Sequence, residues 1–76
     1  MKLYLGGHLD WYAPDQRARH EFSLTAPTAL LALVQTLGIP PAEIVTTAVN
    51  GTLVDLEAIH VSDEDVVELF SAIGGG

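Results

Sequence analysis

The sequence contains no cysteine among its 76 residues. This absence excludes disulfide bonds, thiolate zinc sites, cysteine-ligated iron–sulfur clusters and thiol nucleophiles. A chain of this length fills one hydrophobic core and is close to the lower limit for independent folding, because it buries only about 60% of its unfolded surface. The core therefore stabilises the fold without cross-links, and any chemistry uses atoms other than a thiol.

Basic residues are also scarce. Three Lys and Arg stand against ten Asp and Glu, which gives a formal net charge of −7. Nucleic acids and anionic membranes are bound through clustered Lys and Arg that displace counterions. With only Lys2, Arg17 and Arg19 available, we expect no basic patch and neither of these partners. The charge favours docking on a basic protein surface, where complementary charge raises the association rate.

Long hydrophobic runs are missing as well. A membrane span needs roughly 20 apolar residues, and the longest candidate, residues 26–39, is interrupted by Thr28, Gln35 and Thr36. The first residues reach Gly6-Gly7 without the apolar region of a secretory signal. We therefore expect a cytoplasmic protein with no membrane partner.

Five strands are predicted from alternating or β-branched residues. They cover residues 1–5, 19–24, 44–49, 52–54 and 66 to about 72. Gly6-Gly7 predicts the end of the first strand or a bulge, and residues 8–18 predict a polar connection with a turn at Pro14-Asp15. Asn50-Gly51 is a strong signal for a two-residue hairpin turn.

One helix is predicted from Pro27, which suits a first helical turn. An apolar stripe recurs at helical spacing at Leu30, Leu33, Val34 and Leu37. Gly38 and Pro40-Pro41 end the helix. Because a single stripe needs a single apolar surface to cover, we expect an α+β domain over residues 1–72 with one helix across one face of one sheet.

No set of side chains predicts catalysis. His8, His20 and His60 have neither helical i, i+4 spacing nor a known metal-ligand pattern, which favours surface histidines. The acidic run over residues 63–65 lacks the spacing of a calcium loop and favours a solvated turn. Ser71 has no base or motif beside it. We expect no bound metal or cofactor.

The final glycines have no explanation in folding, because glycine loses the most backbone entropy on ordering and offers no side chain to pack. Residues 73–76 predict a flexible tail whose α-carboxylate no Cβ hinders. From Ser71 to Gly76 an extended chain reaches about 20 Å, enough to thread a narrow channel in another protein. A frayed end or a linker scar is the alternative interpretation.

Three segments in this order resemble the ubiquitin-like sulfur carriers of the MoaD/ThiS family. They are Ala48–Val54 with its V-N-G, Val61–Phe70 with its D-x-D turn and apolar strand ending in Phe, and Ile73–Gly76 with its glycines. Before Ala48 the resemblance lies only in element order. It implies a ubiquitin-like β-grasp, a mixed sheet of four to five strands in which the first and last strands are parallel neighbours and one main helix lies across one face.

The resemblance also implies a function that is not catalytic. An E1-like partner would use ATP to adenylate the carboxylate of Gly76, and a sulfur donor would convert it into a thiocarboxylate. Gly74 and Gly75 would thread into the partner, and the sulfur would pass to an acceptor such as a synthase subunit in molybdopterin or thiamin biosynthesis. The domain could itself be the small non-catalytic subunit of a synthase such as molybdopterin synthase.

Three features bear on the pathway and leave it open. The L-F-x-x-I before the glycines is similar to the thiamin-type carriers, whereas the long first hairpin is similar to the molybdopterin type. Ser71 and Ala72 depart from the proline pair frequent in the latter. Two other functions also remain open: a ubiquitin-like modifier conjugated through Gly76, and a non-covalent β-grasp interaction module in which the glycines are incidental.

The last strand predicts a docking surface. Val67 and Leu69 should face the helix, and if the first and last strands are neighbours, the opposite face brings two aromatic residues together with two carboxylates. The predicted docking residues are Tyr4, Phe70, Glu68 and Asp65. Such a patch favours a basic partner surface that accepts aromatic side chains. The alternative is that Phe70 only packs at the sheet edge.

Overall fold

The structure is a computed structural model that describes residues 1–72. The strands are β1 (Lys2–Gly6), β2 (Arg19–Glu21), β3 (Thr28–Ala29), β4 (Thr46–Val49), β5 (Thr52–Leu53), β6 (His60–Val61) and β7 (Val66–Phe70). An α-helix, α1, spans Leu30–Thr36. Short 3₁₀ helices cover Leu9–Tyr12, Pro14–Gln16 and Pro41–Glu43.

Five of these strands form a mixed sheet in the order β2-β1-β7-β4-β5. β1 and β7 are parallel, with Leu3 opposite Val67, and the other neighbours are antiparallel. β3 and β6 form a separate antiparallel pair. With α1 across one face, this is the ubiquitin-like β-grasp. The predicted α+β fold, with its parallel first and last strands, is confirmed.

The core lies between α1 and one face of the sheet. Val67 and Leu69 are fully buried there, as the alternation of the last strand predicts. Leu30 and Val34 of α1 are equally buried. The buried cluster comprises Met1, Leu3, Leu5, Leu9, Ala13, Leu30, Val34, Ile39, Val61, Val67 and Leu69.

The helix begins later than predicted, because the residues after Pro27 are extended. Thr28–Ala29 pairs with His60–Val61 as β3, and the Leu30 N–H donates a hydrogen bond to the Ile59 carbonyl at 3.1 Å. The fixed φ of a proline suits an extended backbone as well as a first helical turn. The predicted start at Pro27 is therefore wrong by three residues.

Several strands are shorter than their apolar patterns. β2 ends at Glu21, β4 begins at Thr46, β5 ends at Leu53 and β7 ends at Phe70. Apolar side chains beyond these ends, namely Phe22, Leu24 and Ile44, still pack against the core. The apolar patterns therefore predicted which side chains are buried, but they overestimated how many residues of each strand pair by hydrogen bonds.

The connection between β1 and β2 is not merely polar, which corrects the prediction for residues 8–18. Leu9 is fully buried and Ala13 is 5% exposed, so this segment contributes to the core. The expected turn at Pro14-Asp15 is present within a 3₁₀ helix. No helix within residues 1–72 is long and apolar enough to cross a membrane.

Candidate functional site

The candidate site is the place where the chain leaves the sheet. Because β7 runs parallel to β1, its carboxyl end lies beside the end of β1, with Phe70 opposite Gly6. On the other side the Val45 N–H donates a hydrogen bond to the Phe70 carbonyl at 2.8 Å. Ser71 is buried and Ala72 is exposed. The chain therefore leaves the sheet at Phe70, which is paired with Gly6 on one side and hydrogen-bonded to Val45 on the other.

Gly6 makes room for the ring of Phe70. A Cβ on Gly6 would overlap ring atoms of Phe70, so the ring covers the glycine where a side chain would otherwise stand. Gly6 is buried and in register as the last residue of β1, and Gly7 lies in the turn after it. Of the two predictions for Gly6-Gly7, the strand end is confirmed and the bulge is wrong.

Gly7 and His8 hold Ser71. Gly7 has a φ of 64°, in the left-handed region, and a Cβ there would overlap the Ser71 side chain. The His8 N–H donates a hydrogen bond to Ser71 Oγ at 2.8 Å, and Ser71 is only 8% exposed. We call Gly6, Gly7 and His8 the clamp turn. Sequence reasoning considered Ser71 as a nucleophile and as a departure from the family's proline pair, and it missed this contact.

The face of the sheet away from α1, here called the open face, carries the predicted aromatic pair. Tyr4 and Phe70 make an edge contact with ring centroids 6.3 Å apart and an interplanar angle of 62°. Tyr4 is 37% exposed and Phe70 is half-buried. Glu68 lies opposite Tyr4 in the register of β1 and β7. The structure brings these three residues together, and their role in docking stays a prediction.

The same face concentrates the positive charge of the chain. The Arg19 guanidinium lies 5.9 Å from the centroid of the Tyr4 ring. A shallow depression beside it is lined by every basic residue and by two carboxylates: Lys2, Arg17, Arg19, Glu21 and Glu68. β1 and the approach to β2 place all three basic residues on one surface, but Glu21 and Glu68 lie among them, so the depression is of mixed charge.

Comparison with known families shows which family the chain belongs to. The model of the ThiS family matches residues 12–76, which include β2 to β7, α1 and the final glycines. The chain belongs to the ThiS family. Its members are small ubiquitin-like sulfur carriers rather than catalysts, so the sequence-based resemblance is confirmed. No curated protein matches the chain significantly.

In this ThiS-family chain two of the three segments that carried the resemblance, Ala48–Val54 and Val61–Phe70, contact each other. The Asn50 side-chain amide donates a hydrogen bond to Asp65 Oδ1 at 2.9 Å, and Asn50 Oδ1 accepts one from the Val66 N–H at 2.9 Å. Asn50 has a φ of 52° in the predicted hairpin turn. The V-N-G turn is thereby fastened to the start of β7.

Asp65 is held within this network rather than beside the aromatic pair. Its Oδ2 accepts a hydrogen bond from the Ser62 N–H at 2.7 Å. This bond, followed by the one from Asn50, lowers the pKa of Asp65 below its usual value. Asp65 is five residues before Phe70, which is about 16 Å along an extended strand. The structure therefore gives Asp65 a local structural contact, and its docking role stays a prediction.

Asp63, the first acidic residue of the D-x-D turn, contacts the backbone after β2 and the amino terminus. Its Oδ1 accepts a hydrogen bond from the Leu24 N–H at 2.8 Å and lies 3.6 Å from the Met1 amino nitrogen. The Leu24 bond and this positive charge lower the pKa of Asp63. The acidic turn is thus hydrogen-bonded to the chain three residues beyond the end of β2.

Metal binding and the glycine tail are the remaining subjects of the sequence analysis. In the part of the chain that the structure describes, no group of three or more His, Asp or Glu side chains could hold a metal ion. The predicted tail over residues 73–76, with Gly74, Gly75 and Gly76, lies outside the described residues. Its role stays a prediction.

Proposed function

We propose that this ThiS-family protein carries sulfur as a thiocarboxylate on Gly76. The observation that carries the proposal is that the glycine-terminated segment, included in the family match, follows a strand end that is held beside a partly exposed aromatic pair. An E1-like enzyme would use ATP to adenylate the Gly76 carboxylate, and a sulfur donor would then replace AMP. The domain itself supplies no catalytic group and no cofactor.

The chemistry follows from the electrophilicity of the terminal carbon. A carboxylate resists nucleophilic attack because it is negatively charged and has no leaving group. Transfer of AMP from ATP releases pyrophosphate and gives an acyl-adenylate, from which AMP leaves when a sulfide equivalent attacks. Because the chain has no cysteine, the carbonyl carbon of Gly76 is the atom proposed to hold the sulfur.

The open face is the proposed docking surface for the activating enzyme. Tyr4 and Phe70 supply adjacent aromatic area, and aromatic side chains are enriched among residues that dominate binding energy. Arg19 and Glu68 lie on either side of Tyr4, so the partner surface must complement both charges rather than be uniformly basic. The acceptor in molybdopterin-type or thiamin-type biosynthesis is the second proposed partner, and the need for ATP favours the cytoplasm.

Adenylation is tested by pyrophosphate exchange. The purified E1-like enzyme encoded in the same genome should exchange labelled pyrophosphate into ATP only when the full chain is added. A chain lacking Gly75 and Gly76 is the control and should give no exchange. Exchange that is equal with the truncated chain, or absent with both, would contradict the proposal.

A ubiquitin-like modifier would undergo the same activation, so a second measurement separates the two functions. A modifier forms adducts through isopeptide bonds that survive reductant and hydroxylamine. A sulfur carrier gives no such adducts when the activating enzyme, ATP and a lysate are supplied. Lys2 is the only lysine of the chain and lines the depression on the open face, which disfavours chains of linked copies.

A further inference from the structure

We propose that the clamp turn sets the working length of the carboxy-terminal segment by holding Ser71. The inference rests on the proposed function, because it concerns how Gly76 reaches the nucleotide on the activating enzyme. Ser71 is then a positioning residue that touches no reactant. It determines how many residues separate the point of attachment from the Gly76 carboxylate.

The first support is that Ser71 is held beyond the end of the strand ladder. The last pair between β1 and β7 is Gly6 with Phe70, so backbone pairing stops one residue before Ser71. The Ser71 hydroxyl then accepts the hydrogen bond from the His8 N–H at 2.8 Å. A side chain thus continues the attachment where the ladder ends, and Ser71 stays buried while Ala72 is exposed.

The second support is that neighbouring residues of the turn lack a side chain where the contact requires it. A Cβ on Gly6 would displace the Phe70 ring, and a Cβ on Gly7 would displace the Ser71 side chain. Gly7 also has the positive φ that brings the His8 N–H to the hydroxyl. Gly7 and the Ser71 hydroxyl therefore serve the same contact, and Gly6 accommodates the ring of the preceding residue, although Ser71 and His8 are 63 positions apart in the sequence.

Attachment of Ser71 limits how far the Gly76 carboxylate can lie from the domain. With Ser71 held, five residues, 72–76, follow the point of attachment, and five residues span at most about 17 Å when extended. Release of Ser71 adds about 3.4 Å, the length that deletion of one glycine removes. Because a misplacement of about 1 Å at a reacting centre can cost a factor of about one hundred in rate, a change of one residue should be measurable.

The test compares four chains in pyrophosphate exchange with the E1-like enzyme from the same genome. They are the unmodified chain, Ser71→Ala, a deletion of Gly74 that keeps the last two glycines, and the combination of both. The deletion alone should lower kcat/KM by about tenfold or more, because the carboxylate falls short of the nucleotide. Ser71→Ala in the deletion background should recover most of this loss. A merely structural role of Ser71 would instead add a second loss.

Two further variants keep the result interpretable. Gly7→Ala displaces Ser71 through the added Cβ rather than through loss of the hydroxyl. In the deletion background it should recover kcat/KM to the same extent as Ser71→Ala. Thr36→Ala removes a hydroxyl that bonds within α1 and should give no recovery. Circular dichroism at the assay temperature verifies that each chain is folded.

Hydrogen exchange tests the clamp without any partner. The His8 amide should be protected in the unmodified chain and should exchange faster in Ser71→Ala, while amides of β4 stay protected. Unprotected His8 in the unmodified chain overturns the proposal. The proposal is also overturned if the unmodified chain is adenylated but the combined variant has a kcat/KM no higher than that of the deletion alone. That outcome leaves the proposed function intact. Absence of adenylation in the unmodified chain overturns the proposed function and this inference with it.

Discussion

The ring of Phe70 occupies the space over Gly6 that a Cβ would need, and this contact is the last pair of the parallel ladder between β7 and β1. It joins the two central strands of the β-grasp at the end from which the glycine segment leaves. A glycine in a strand normally weakens it, because no side chain packs there. Here the aromatic ring of the neighbouring strand replaces the missing side chain.

Gly6→Ala should therefore destabilise the protein through overlap with Phe70. We expect a loss of about 1–3 kcal/mol in the free energy of unfolding, as for other overpacked sites. Urea unfolding measures it. A double-mutant cycle with Phe70→Leu should show coupling, because the smaller side chain relieves the overlap. Strictly additive effects would show that Gly6 and Phe70 do not interact.

The acidic turn should make the fold sensitive to acid. The pKa values of Asp63 and Asp65 lie below their usual value of 3.8, chiefly because the Leu24 and Ser62 N–H groups bond the carboxylates. A depressed folded-state pKa stabilises the fold above the unfolded value, and this contribution is lost as the pH falls through the folded value. Urea unfolding should show Asp65→Asn less stable than the unmodified chain at pH 7, with the difference shrinking below pH 3.8.

Glu64→Gln is the matched control for that experiment, because it removes the same charge from the same turn. It should follow the pH dependence of the unmodified chain more closely than Asp65→Asn does. An identical pH dependence for Asp65→Asn and the unmodified chain would contradict the assignment of these hydrogen bonds.

Asn50 should stabilise the fold through its side chain as well as its turn conformation. Asn50→Gly tolerates the positive φ but removes the bonds to Asp65 and the Val66 N–H. We expect a loss of about 1–2 kcal/mol. Asn50→Asp retains an acceptor for Val66 but places a second carboxylate against Asp65, so at pH 7 it should be worse than Asn50→Gly. Chemical denaturation of both variants checks this order, and a reversed order would contradict it.

Tyr4 should contribute to binding more than to folding, because it is partly exposed on the open face. Tyr4→Ala is expected to weaken the affinity for the E1-like enzyme by about tenfold or more while leaving the core intact. Leu53→Ala is the control: Leu53 is 72% exposed and lies on β5, at the far edge of the sheet. Calorimetric titration measures both. Equal affinities for the two variants would remove Tyr4 from the interface.

Local patterns predicted much of the fold. The alternation of Val67 and Leu69, the helical stripe of Leu30 and Val34, and the Asn50-Gly51 turn each depend on neighbours in the sequence, and the structure confirms all three. The start of the helix was predicted wrongly, since Thr28–Ala29 is extended by pairing with the distant β6. Burial of Leu9 likewise depends on a core assembled from elsewhere in the chain.

The candidate site was less predictable, because its contacts depend on strand register. Tyr4 and Phe70 could be placed together once the first and last strands were taken as neighbours. The bond from His8 to Ser71 and the convergence of Arg17 and Arg19 with Lys2 follow only from the observed pairing of three strands. A Gly-Gly pair at the end of a first strand, with Phe-Ser at the end of the last, is the signal that could have revealed the clamp turn.

The intact mass of the chain tests the central claim most directly. After incubation with the E1-like enzyme, ATP and a sulfur donor, it should rise by about 16 Da, the difference between a sulfur and an oxygen atom. Fragmentation should place the increase on Gly76, and omission of ATP should prevent it. An unchanged mass, or an increase that maps to another residue, would contradict the assignment of this protein as a thiocarboxylate carrier.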